Sequence, residues 1–121
     1  MSAELEARMI HHVSVGARDI ERAKRFYQPV MTLLGFRLLK EDPDHLHYGV
    51  AEIMFSVQMP KDGKAAHAGN GIHFAFQARD RAMVGEFHRL ALANGGTDDG
   101  GPALRPHYDG HYYAAFVRDP D

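Results

Sequence analysis

His12-Val-Ser-Val-Gly-Ala-Arg-Asp19 and His73-Phe-Ala-Phe-Gln-Ala-Arg-Asp80 are two versions of one segment, 61 residues apart. Their alignment needs no gap, and the register holds beyond them, with Phe26 falling on Phe87 and Gly35 on Gly96. Chance supplies about one or two identities in such a window at ordinary residue frequencies. His, Ala, Arg, Asp, Phe and Gly all coincide. The 121 residues therefore read as one domain built from two halves of similar design, approximately 8–60 and 70–121.

Each half begins as a strand, with Ile10, His12 and Ser14 alternating with His11, Val13 and Val15, and Ile72, Phe74 and Phe76 alternating with His73 and Ala75. Asp19 and Asp80 end the strands and are placed to cap a following helix by accepting its free backbone N–H groups. The first helix sets Ile20, Ala23, Phe26, Tyr27 and Val30 on one stripe, and the second does so with Met83, Phe87, Leu90 and Ala91. Pro29 is expected to end or kink the first near Gln28. Asn94-Gly95-Gly96 stops the second. The stripes cover Val13 and Val15 in one half and Phe74 and Phe76 in the other, which turns His12 and His73 away from the helices.

Strand-like runs follow: Phe36 to Glu41, Leu46 to Val50 and Ile53 to Gln58 in the first half, and Tyr112 to Val117 in the second. The join, Pro60 to Lys64 and on through Gly69-Asn70-Gly71, is polar and glycine-rich. A weaker match sets His47-Tyr48 on His111-Tyr112. The first half then continues into Ile53 to Gln58, whereas Asp119-Pro120-Asp121 is a turn signal, and a further strand is expected after it. The fold class is α+β, two βαβββ modules forming a cupped mixed sheet.

With 45% hydrophobic and 25% charged residues the chain has the make-up of a globular domain with a real core. A net charge of -2 without a basic run leaves no footprint for nucleic acid or an anionic membrane, and neither partner is expected. The absence of cysteine removes disulfides, thiolate ligands and cysteine nucleophiles together. The acidic start, Met1 to Glu6, does not read as a secretory signal, and no apolar run reaches membrane-spanning length. A cytoplasmic protein is the expectation.

Ile10-His-His-Val-Ser-Val with Asp19 and Phe26-Tyr27, then Gly71-Ile-His-Phe-Ala-Phe, then Tyr113-Ala-Ala-Phe-Val-Arg-Asp-Pro-Asp121 resemble the vicinal oxygen chelate superfamily, which includes glyoxalase I, fosfomycin-resistance enzymes, extradiol dioxygenases and bleomycin-resistance proteins. The resemblance implies one divalent ion, iron, manganese, zinc or nickel, held by His12, His73 and a glutamate of the final strand, expected beyond Asp121. Glyoxalase-type members can draw a fourth ligand from the last strand of the first half. Ile53 to Val57 holds no carboxylate, and Glu52 precedes it, which favours three ligands.

The resemblance further implies a lyase, isomerase or group transferase acting on a small molecule with vicinal oxygens. An extradiol-type dioxygenase and a metal-free drug-binding protein are the alternatives, and a homodimer is expected in each case. Arg105-Pro-His-Tyr108 through Tyr113 is the densest group of polar and aromatic side chains. Arg105 suits an anionic substrate group, and His107, Tyr108 or Tyr113 suits substrate binding or proton transfer. The same stretch also reads as a solvated loop followed by a packed strand. His11, His45, His67 and His88 are read as structural, and Arg18 and Arg79 as pairs beside the helix caps. No nucleophile elbow, phosphate loop or dinucleotide fingerprint occurs.

Overall fold

The computed structural model describes residues 9–121, so the acidic stretch from Met1 to Glu6 lies outside the described residues. The first half is a complete βαβββ unit: β1 (Val13–Gly16), α1 (Ile20–Leu34), β2 (Arg37–Asp42), β3 (His45–Gly49) and β4 (Ile53–Gln58). Its mixed sheet runs β1-β4-β3-β2, with β1 parallel to β4 and the other pairs antiparallel. The second half contributes α2 (Arg81–Ala93) and four short strands, β5 (Thr97–Asp98), β6 (Ala103–Leu104), β7 (Tyr113–Ala114) and β8 (Val117–Arg118). These pair as β5 with β8 and β6 with β7, both antiparallel. No helix among the described residues is long and apolar enough to cross a membrane.

Strand alternation and the helical stripe meet in one core. Register pairs Val13 with Phe55, Val15 with Val57, Leu46 with Val57 and Tyr48 with Phe55, and these side chains form the helix-facing layer. Against it α1 buries Ile20, Ala23, Phe26, Tyr27, Val30 and Met31, the expected stripe with one residue added. α2 packs on α1 with Met83 and Ala91 buried and Phe87 and Leu90 at the margin.

Both caps form as the sequence indicates. Asp19 accepts from the Arg22 N–H at 3.1 Å and Asp80 from the Met83 N–H at 2.8 Å. The expected stop at Pro29 does not occur, for α1 continues to Leu34 with Pro29 inside it. Proline forfeits one intrahelical bond there, but the turn beyond it buries Val30 and Met31 and is closed by Gly35 at φ 96°, whose N–H meets the Met31 and Thr32 carbonyls. α2 ends where expected, at Asn94, with the Gly96 N–H donating to the Ala91 carbonyl at 2.8 Å.

Two expectations for the second half are corrected. Ile72 to Phe76 forms no strand: β1 has β4 as its ladder partner, and among the described residues none runs beside this segment. Phe76 still packs against the core, on Phe55 at 5.2 Å and Phe36 at 5.9 Å between ring centroids. Tyr112 to Val117 divides into β7 and β8, because Ala114 pairs with Ala103 while Val117 pairs with Asp98, in different two-stranded sheets.

The end of the chain is tied to the start of α1. Asp121 accepts from the Arg22 guanidinium at 2.6 Å and from the Arg18 N–H at 3.0 Å, and Asp119 accepts from the Tyr27 hydroxyl. Burial, followed by the charge of Asp119, raises the Tyr27 hydroxyl well above its ordinary pKa and keeps it a donor.

Candidate functional site

The sheet face turned from α1 carries the polar residues of the first half. Ser14 pairs with Ser56 and Ser56 with His47, so these three form one row across β1, β4 and β3. Ser56 is a buried polar residue, 2% exposed, and its hydroxyl lies 2.7 Å from His47 Nδ1. His45, two residues earlier on the same strand, shares that face. The two imidazoles lie nearly parallel at 14°, with centroids 5.3 Å apart.

Asp42 joins them through an irregularity in β2. Leu38 opposes Tyr48 in the helix-facing layer, and simple alternation would send Lys40 and Asp42 the same way. The register shift between Leu38 and Lys40 rephases the strand, so that Lys40 opposes His47 and Asp42 opposes His45. Glu41 correspondingly turns to the helix side and takes a 2.8 Å ion pair from Lys24 of α1. Asp42 Oδ1 then lies 3.0 Å from His45 Nδ1 and accepts the Asp44 N–H at 2.9 Å. Among the described residues, Asp42, His45 and His47 form the one group of three or more His, Asp or Glu donors gathered within 4.8 Å of one another.

The electrostatics suit ligation. The Asp44 N–H, then His45, hold the Asp42 carboxyl below its usual range, and burial, then the neighbouring His45 ring, hold His47 below the usual imidazole value. The set therefore presents a carboxylate and a neutral imidazole at neutral pH. Sequence reading set His45 aside as structural and used His47 only as a repeat match. The legible signal was Asp42-Pro-Asp-His-Leu-His47, two histidines at strand spacing just past a tight turn; the bulge that turns Asp42 toward them was not legible.

The residues chosen from sequence fall in three places. His12 lies just before β1, exposed, with its Nδ1 2.9 Å from that of His11, whose Nε2 is 3.7 Å from Glu52. His73 is exposed with its ring against Phe116, and it lines a shallow depression of about 490 Å³ with Asp99, Tyr108 and Arg118. His107 packs on Tyr108 at 4.5 Å between centroids, outside the lining of the depression. Arg105 adjoins the His73 ring through Phe116, and Tyr113 lies against Arg81. The Arg105 guanidinium donates to the Gly101 and Ala114 carbonyls and lies over Phe116, while the Tyr113 ring receives the Arg81 guanidinium at 4.8 Å.

The remaining basic residues support the frame. His88 meets Asp98 at 2.8 Å, Arg79 reaches its own cap residue Asp80 at 3.4 Å, and Arg18 Nε donates to the Ala66 carbonyl of the linker at 2.6 Å.

A four-stranded mixed sheet backed by α1, with α2 packed on α1, defines an α+β class that keeps the polar residues of its first half on the sheet face away from the helix. The chain belongs to the Glyoxalase/Bleomycin resistance protein/Dioxygenase superfamily, whose family model matches residues 9–121. It is similar to the crystal structure of a glyoxalase/bleomycin resistance protein from Albidiferax ferrireducens T118, at 33% identity over 93% of this chain and 92% of that one, with a TM-score of 0.86. A glyoxalase/bleomycin resistance protein/dioxygenase family enzyme from Burkholderia phytofirmans PsJN shares the fold at 20% identity, covering 91% and 89% of the two chains with a TM-score of 0.71. Lactoylglutathione lyase from Agrobacterium tumefaciens does so at 24% identity, 93% and 87% coverage and a TM-score of 0.60. No curated protein sequence matches the chain.

Proposed function

We propose that this protein is a metal-dependent enzyme acting on a small molecule with two neighbouring oxygens, as a lyase, isomerase or group transferase, with His12 and His73 as ligands of one divalent ion. The observation that carries this reading is the duplication. Each histidine opens an equivalent segment ahead of an aspartate that caps a helix, and the cap bonds are alike in both halves. Val13 and Val15 pack toward the core, so by alternation His12 leaves its segment on the other side, and Phe74 and Phe76 meet Phe55 while the His73 ring lies against Phe116.

The donor chemistry fits such an ion. Two exposed imidazoles, neither engaged by a carboxylate among the described residues, suit iron, manganese, zinc or nickel, with an oxygen donor from a carboxylate as third ligand. A bound ion supplies a Lewis acid that stabilises negative charge developing on a chelated substrate oxygen. Tyr108, which lines the depression with His73, and His107, whose ring packs on Tyr108 at a tilt, are the groups to which we assign substrate contact and proton transfer. Homodimerisation belongs to the same reading, because Ile72 and Phe74 leave apolar surface at 67% and 43% exposure beside the His73 depression. A cytoplasmic setting belongs to the same reading.

The test is metal analysis after dialysis against each of the four dications in turn. One equivalent is expected to disappear in His12→Ala and in His73→Ala, with folding checked by circular dichroism. Metal content unchanged in both variants would overturn the assignment. Oxygen uptake with catechols under iron loading would instead identify a dioxygenase.

A further inference from the structure

We propose that Asp42, His45 and His47 form a second divalent-metal site, independent of the one assigned to His12 and His73, that takes a borderline transition-metal ion such as zinc, nickel or copper and clips β2 to β3. A set of two imidazoles and one carboxylate is chemistry suited to these ions rather than to calcium or magnesium, which favour all-oxygen surroundings.

The geometry is nearly formed. Donors bound to zinc at about 2.0–2.2 Å stand roughly 3.4 Å from one another. The closest pair here, Asp42 Oδ1 and His45 Nδ1, is at 3.0 Å, and all three donors lie within 4.8 Å of one another. Three features hold the donors in place. β3 sets both imidazoles on one face by its two-residue period, the β2 bulge brings Asp42 opposite His45, and the Asp44 N–H pins Asp42 Oδ1 while Oδ2 accepts no bond from it.

His47 also has the outer partner that metal-bound histidines usually carry. In the tautomer that donates Nδ1–H to the Ser56 hydroxyl, 2.7 Å away, the lone pair stands on Nε2, and the contact with this buried serine orients the ring. Ser56 is thus a positioning residue. Half-exposure of Asp42 and His45, at 42% and 37%, leaves the remaining coordination positions open to water or an exogenous ligand. Lys40, opposite His47, is a cation set against it across the strands, and its flexible stem lets the ammonium swing into solvent.

The full chain, freed of metal by chelation, is titrated with zinc and separately with cobalt(II), whose visible absorption reports nitrogen ligation. Calorimetry is expected to show a binding event that weakens about 100-fold or more in His45→Ala/His47→Ala and about 10-fold in Ser56→Ala, matching the usual loss when an orienting partner is removed. The event persists in His12→Ala/His73→Ala, so failure of this site and failure of the other are read separately. Zinc also raises the melting temperature of His12→Ala/His73→Ala, and adding His45→Ala/His47→Ala to that variant removes the rise. His45→Gln/His47→Gln, which keeps size and polarity, checks that lost binding is not lost folding. Titrations of wild type and His45→Ala/His47→Ala that superimpose, or binding abolished only by the His12 and His73 substitutions, overturn the proposal.

Discussion

The two halves start from matching segments and end in different structural conditions. Val13–Gly16 lies in a ladder beside β4, whereas the equivalent residues after His73 run alongside no strand among the described residues; Tyr48 and Phe55 are sealed in the core, whereas Phe74 and Tyr112 stand 43% and 36% exposed. The same local pattern therefore becomes a strand only where a second stretch of backbone arrives to accept its hydrogen bonds. Even the repeated glycines have separated in role. Gly35 is needed for its left-handed φ of 96°, with open space around its α-carbon, whereas a Cβ on Gly96 would stand 2.6 Å from the Phe26 ring and 2.8 Å from the Ala91 carbonyl oxygen.

The comparison breaks if the halves respond alike to matched substitutions. The largest contrast is expected between Phe55→Ala, which empties a site lined by Tyr27 and Phe76 and is expected to cost about 3–5 kcal/mol, and Phe74→Ala, expected at about 1 kcal/mol because half its ring already faces water. Urea unfolding measures both, and equal losses would show that the second-half opening is as well packed as β1. Next come the glycines. Gly96→Ala is expected to cost about 2–3 kcal/mol through overpacking against backbone, and Gly35→Ala about 1–2 kcal/mol through backbone conformation alone. Thermal denaturation giving the reverse order would place the close helix contact in the wrong half.

The smallest effect concerns acid. The Met83 N–H holds the Asp80 carboxyl below its usual range, so its stabilising contribution is complete above the unfolded carboxylate pKa of about 3.9 and is lost as pH falls through the lower folded value. In Asp80→Asn the decline of stability on acidification below about pH 4 should be shallower than in the wild type. An unchanged slope would mean that the second cap, unlike its geometry, contributes nothing.

Local rules were sufficient for much of the fold. Both caps, the α1 stripe and the position of the α2 stop follow from residues within one or two turns of each other, and the observed strands of the first half differ from the expected ones by a residue or so at their ends. Pro29 defeats the same reasoning, because what carries α1 past it is the burial of Val30 and Met31 on strands distant in sequence.

The site divides in the same way. The equivalence of His12 and His73 is a property of the amino-acid order, and so is the pairing of two imidazoles at positions 45 and 47. That Arg105 is committed to backbone carbonyls and Tyr113 to Arg81 depends on which loops pack together. Most of all, tertiary structure decided the face on which Asp42 appears. A strand's side chains alternate by covalent geometry, which any sequence displays, but one extra residue in a ladder inverts that alternation, and only the partner strand reveals where it sits.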